Sequence, residues 1–132
     1  MKKLLILSIA FFSLLSCSSN EENLDPFIGT WHFFSIDNKE VNDCLKKNTF
    51  IILENGNATY LDHDSKDNGD CIPYEIKKST WKNKGGGNYA LIGEGETEES
   101  IQKVTFSNNN NTWSITEKAD SGEGKVIMYK RK

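Results

Sequence analysis

The chain has 132 residues, 16 basic against 19 acidic side chains, and a formal net charge of −3. Lys2 and Lys3 lie in an N-terminal export segment, and without them the acidic excess is about five charges, which excludes nucleic acid and anionic membrane surfaces as electrostatic partners. Roughly 100 residues then remain for one domain, enough for a single core. Residues 1–16 read as a signal peptide: two lysines, an apolar run over residues 4–15, then Ser16. The run is too short to span a bilayer permanently.

Three cysteines are an odd number for an exported chain. Leu14-Leu15-Ser16-Cys17 resembles the lipobox of bacterial lipoproteins. That resemblance implies cleavage before Cys17, a thioether-linked diacylglycerol on it, and acylation (palmitate among the chains) of the new amino terminus. Several acyl chains, at about 0.8 kcal/mol per buried methylene, hold a protein durably to a bilayer. Cys44 and Cys71 remain, and an oxidising compartment makes a disulfide between them the expectation. The closed loop of 27 residues implies roughly 3–4 kcal/mol on the chain-entropy account.

Residues 17–25 form the lipidated cysteine and a polar, acidic tether (SSNEENLD after Cys17) with no periodicity. Its acidic stretch resembles the export signals that send lipoproteins of Bacteroidetes-type bacteria to the outer face of the outer membrane. A solvated spacer fits Glu21 and Glu22 equally well. The expected address is the cell envelope, anchored in the outer membrane.

From residue 26 onward the pattern is short strands and turns. Pro26 starts a turn over residues 26–28. Strands are expected over 30–36 (TWHFFSI), 48–54 (NTFIILE), 58–62, 74–82 (YEIKKSTWK), 88–93 (NYALIG), 100–106, 112–118 (TWSITEK) and 125–131 (KVIMYKR). Asn55-Gly56 is the strongest hairpin signal among the connections. A helical turn fits the residues around Cys44. Apolar parity changes between Ile76 and Trp81, which points to a bulge near Lys77-Lys78. Eight short sequential strands imply an all-β fold, a small eight-stranded antiparallel up-and-down β-barrel whose closure removes exposed edges.

Gly29-Thr30-Trp31, Cys44, the Asn-Gly hairpin, Asn68-Gly69-Asp70-Cys71, Trp81 and the terminal Tyr129-Lys130-Arg131-Lys132 together resemble the lipocalin-like domain of Bacteroidetes lipoproteins, over residues 26–132. The resemblance implies a lipocalin-related barrel but no particular ligand. It also suggests that Arg131, the only arginine in the chain, covers Trp31, as an arginine near the end of the last strand does in lipocalins. Barrel closure brings the first and last strands together in any case, and a planar guanidinium stacks on indole better than an ammonium does.

Period-two counting directs Trp31, Phe33, Phe50, Ile52, Tyr60, Trp81, Leu91, Trp113 and Ile115 inward. They are either a core or the wall of an apolar pocket, since an eight-stranded barrel can be filled or can hold one small ligand. Strands this short favour a largely filled barrel with a shallow open mouth. Asp62, Asp64, Asp67, Asn68 and Asp70 offer hard oxygen ligands, but the closing glutamate of a calcium loop is missing, so a solvated acidic loop is expected and no metal. His32 and His63 belong to no catalytic motif, and no enzyme activity or cofactor is expected. The expected function is a non-catalytic binding module for a small apolar ligand, in a monomer held to the membrane through Cys17. The alternative is a structural or interaction protein with a filled barrel.

Overall fold

The computed structural model describes residues 23–118 and 122–132. The expected signal peptide, Cys17 and residues 18–22 of the tether lie outside the described residues.

Ten strands form: β1 (Gly29–Ile36), β2 (Lys39–Glu40), β3 (Thr49–Ile52), β4 (Asn57–Ser65), β5 (Cys71–Gly85), β6 (Asn88–Gly93), β7 (Ser100–Lys103), β8 (Thr105–Ser107), β9 (Thr112–Lys118) and β10 (Gly124–Arg131). The ladder order is β7-β6-β5-β4-β3-β1-β10-β9-β8, antiparallel throughout, with β2 hanging from β1. The sheet is therefore an up-and-down barrel, nearly closed, with β1 and β10 paired as closure requires.

The count of ten, against the eight expected, has two causes. Asp37 and Asn38 adopt positive φ, and this tight turn folds β2 back on the end of β1. The expected sixth strand is interrupted at Val104. Its first half pairs with β6 and its second half with β9. Val104 itself is buried, and its N–H donates to the Gly87 carbonyl. The barrel turns a corner there, so one chain segment joins both ends of the sheet path.

The β4–β5 hairpin is longer than its sequence suggests. The expected loop over residues 62–70 is strand through Ser65, and β5 starts at Cys71 rather than at residue 74. Asp62 and Asp64 therefore sit on a strand. The ladder shifts register between Asp62 and His63, with Tyr74 as the extra residue, so the bulge lies there and not at Lys77-Lys78. Ile76 simply faces out and Trp81 in, which accounts for the parity change. Cys44 and Cys71 are bonded, with Cα atoms 5.4 Å apart. The bridge ties the start of β5 to the 3-10 turn Leu45–Lys47.

The core gathers at one end. Trp31, Ile52, Phe27, Ala58, Tyr89, Val104 and Trp113 are buried together. Phe27 lies outside any strand, in the turn expected over 26–28, yet it is 1% exposed. Its ring meets those of Tyr89 at 4.4 Å, Trp113 at 5.4 Å, Trp81 at 5.8 Å, Phe50 at 6.0 Å and Phe106 at 6.5 Å. Most of these contacts are edge-to-face, the arrangement the ring quadrupole favours.

Candidate functional site

The closed end is built first. Asp25, counted with the tether in sequence, accepts from the Phe27 N–H at 2.9 Å and the Tyr89 hydroxyl at 2.7 Å, and from the Asn83 amide at 2.6 Å. Burial, then the bond to Asp25 and its charge, push the Tyr89 hydroxyl well above the usual tyrosine range. Trp31 donates its Nε1–H to the Phe27 carbonyl at 2.9 Å. Trp31 and Arg131 are register partners across β1 and β10, and the guanidinium carbon lies 4.2 Å from the indole centroid. The same guanidinium donates to the carbonyls of Ile28, Pro26 and Asn110 at 3.0–3.2 Å. Gly29 has φ +146°, and a Cβ there would stand 2.3 Å from Arg131 Nη1. Glycine at this position lets the arginine reach its place.

The opposite end is open. A cavity of about 460 Å³ enters the barrel between β5, β7 and β9. Phe27 closes its floor, Phe50, Tyr60, Leu91, Trp113, Ile115 and Tyr129 line its walls, and Lys77, Glu96, Gln102 and Glu117 stand at its rim. Cross-strand register explains the wall. Trp31, Phe50, Tyr60 and Lys77 are successive partners across four strands, and Phe106, Trp113 and Tyr129 are partners across three. Trp113 and Tyr129 stack at 4.1 Å.

Of the residues expected inside, Phe50, Tyr60, Leu91, Trp113 and Ile115 line the cavity. Phe33, Ile52 and Trp81 do not. Phe33 is covered by Tyr129 at 5.6 Å, and Ile52 is 1% exposed within the core. Trp81 packs against Phe27 and donates its Nε1–H to the Leu53 carbonyl at 2.7 Å. Phe27 and Tyr129 are the site residues that sequence reasoning missed. Tyr129 carried a signal, since it shares a strand face with Ile127 and Arg131. Phe27 carried none, because a lone ring in a turn has no period.

The cavity's polar chemistry is sparse and balanced in charge, Lys77 and Lys78 against Glu96 and Glu117. Burial pushes the Tyr129 hydroxyl far up, helped by Tyr60 and by the charges of Glu117 and Asp62. Tyr60 is raised by burial and by Asp62, against partial relief from its hydrogen bonds and Lys77. Both hydroxyls therefore stay neutral. Trp113 is 3% exposed and its Nε1–H has no acceptor among the described residues.

The remaining sequence candidates fall elsewhere. Asp62 and Asp64 lie on β4, and Asp70 bonds Asn68 in the turn before β5. Among the described residues no group of three His, Cys, Asp or Glu side chains converges as a cation site. His32 lies on β1, its pKa lowered by burial and by Lys130, Lys132 and Lys46. A second depression of about 610 Å³, on the outer wall by Leu53, Thr59, Thr80, Ile92 and Glu94, has no aromatic wall.

A short antiparallel barrel of sequential strands, plugged by aromatic rings at one end and open at the other, defines the class of small lipocalin-type barrels. The family comparison agrees: the chain belongs to the lipocalin-like domain family, which matches residues 27–112. It matched no curated protein and no solved structure.

Proposed function

We propose that this domain is a non-catalytic binding module that takes one small, neutral, largely apolar molecule into the open end of the barrel. The observation that carries this reading is the aromatic-walled cavity of about 460 Å³ above Phe27. That volume lies within the range of small-molecule sites, roughly 300–1,000 Å³, and the apolar wall with a few rim polar groups matches their usual make-up. Lys77 and Lys78 balance Glu96 and Glu117 around the cavity, so the mouth carries no net charge to hold an ion, and burying one against the apolar wall is costly. Lipid extraction of the purified protein tests the reading. A stoichiometric neutral ligand is expected, and substituting Ile115→Trp should displace it.

The same reading places the domain on a membrane through Cys17. The described chain enters the barrel beside Asp25 and Phe27, at the plugged end. A short tether would then hold that end toward the bilayer and turn the mouth away, toward ligands arriving from solution. Labelled palmitate should enter the wild type and not Cys17→Ala. Protease shaving of intact cells should remove the domain if it is displayed outward on the outer membrane.

A further inference from the structure

Strand β5 is two strands in function. Ser79 and Thr80 pair with both β4 and β6 and residues 81–85 run beside β6, whereas residues 71–78 pair only with β4, because β6 ends at Gly93 opposite Ser79. A free strand edge therefore runs along the open end of the barrel, among the described residues. Free edges are templates for another strand unless something blunts them. Two of the most exposed large hydrophobic residues sit here, Tyr74 at 67% and Ile76 at 65%. A groove of about 380 Å³ lies beside the edge, between Ile76 and the turn after β6.

The backbone shows which groups are available. Trp81 N–H donates to the Gly56 carbonyl on the β4 side, and the Lys78 carbonyl accepts from Glu94 N–H on the other side. Hydrogen-bonding direction alternates along an antiparallel strand. Residues 75, 77, 79 and 81 thus bond toward β4, and Ile76 turns both its N–H and its C=O to the free edge. Pro73, which has no N–H, and the bulge at Tyr74 limit the ladder on one side. The Glu94 bond limits it on the other.

We infer that this edge is a self-association site, in which two copies of the chain pair antiparallel about Ile76. The sequence Tyr74-Glu75-Ile76-Lys77-Lys78 is self-complementary in that register. Ile76 meets Ile76 of the second copy through two backbone hydrogen bonds and an apolar contact. Glu75 meets Lys77 on one face, twice by symmetry, and Tyr74 meets Lys78 on the other. Opposite charges and cation–aromatic pairs directly across a ladder are the favourable combinations. Within one copy Lys77 already pairs with Glu75 at 3.4 Å, both side chains half exposed, and such a surface pair exchanges partners at little loss. The ladder is short, so the association is weak in dilute solution and is promoted where the chain is concentrated on a surface.

Cysteine cross-linking of the full chain in its own envelope tests this. Paired residues of a hydrogen-bonded antiparallel couple stand about 5.5 Å apart at Cα, within disulfide reach. Ile76→Cys should give a covalent dimer on a non-reducing gel, and Ile101→Cys, also well exposed, on β7, should not. In the Ile76→Cys background, Glu75→Lys or Lys77→Glu alone should lower the dimer yield several-fold. Co-expression of the two reversed chains should restore it, since every cross-strand pair is then attractive. Dimer from Ile76→Cys no greater than from Ile101→Cys overturns the inference. So does a yield indifferent to both charge reversals.

Discussion

The two ends of the barrel are made of the same residue types and do opposite things. At the plugged end, aromatic rings from a turn and several strands converge on Phe27, and the polar groups of Asp25, Trp31, Tyr89 and Arg131 around them are hydrogen-bonded. Asp25 accepts three bonds, and Arg131 makes three to carbonyls while covering Trp31. At the open end the strands run past one another, the wall lacks a ladder beside residues 71–78, and the aromatic wall faces a cavity. Rigidity at one end allows incompleteness at the other. The difference lies in whether a ring from outside the sheet fills the bore.

The largest effect is therefore expected at Phe27. Phe27→Ala removes the ring that five others touch and should destabilise the domain by about 3–5 kcal/mol in urea unfolding. Ile115→Ala, on the cavity wall, should lose clearly less, because that side chain is packed on one side only.

Next is the disulfide, which belongs to the open end. Replacing Cys44 and Cys71 by alanine should reduce stability by roughly 3 kcal/mol or less, as part of the chain-entropy value is offset by relaxation of the hairpin. Amide exchange should rise first in residues 62–78, with β1 and β9 still protected. Equal loosening of both ends would remove the contrast between them.

Arg131→Lys should follow, at about 0.5–2 kcal/mol, since an ammonium keeps the charge but loses the planar stack and the fork of donors. Lys130→Arg, whose residue lies over the Phe34 ring, should be close to neutral in thermal melts. Neutrality of Arg131→Lys would show that the Trp31–Arg131 stack does not close this barrel.

The smallest effect is a pH dependence. Tyr89 at the plugged end and Tyr129 at the cavity wall both have hydroxyl pKa values raised above the ordinary value of 10.0. An acid whose pKa is higher folded than unfolded binds more protons in the folded state at alkaline pH. Stability is thus unaffected below the unfolded pKa near 10 and falls as pH rises above it toward the folded values. Ultraviolet difference titration should show these two tyrosines still un-ionised once the pH has passed the ordinary tyrosine value of 10.0.

Much of this was legible in the sequence, and what was not shares a physical cause. Period-two alternation reports a strand with one wet face and one dry face. It located β1, β6, β9 and β10 closely, and the glycine at φ +86° in Asn55-Gly56 turns the hairpin there. The projecting half of the β4–β5 hairpin buries no apolar side chain at alternate positions of β4, with Asp62 partly buried and Asp64 and Ser65 exposed in succession, so these residues show no alternation and read as loop. The break at Val104 is set by barrel curvature, which no local pattern records. Phe27 was invisible because its burial depends on where the finished barrel places its opening. At the site, the cavity wall could be named in outline, but Phe33, Ile52 and Trp81 could not be told from Phe50 and Tyr60. All five point inward, and depth along the bore separates core from pocket.

The central claim is that the open end holds a small neutral apolar molecule. Native mass spectrometry of the wild-type domain beside Ile115→Trp tests it most directly, because Ile115 lines the cavity and packs against the buried Phe27 cluster only from its edge, as a half-buried side chain. A bound mass of small-molecule size in the wild type, absent from a variant with an unchanged melting temperature, is the result expected. A wild type that carries no ligand after exposure to envelope lipid extract, and melts as the variant does, would contradict it.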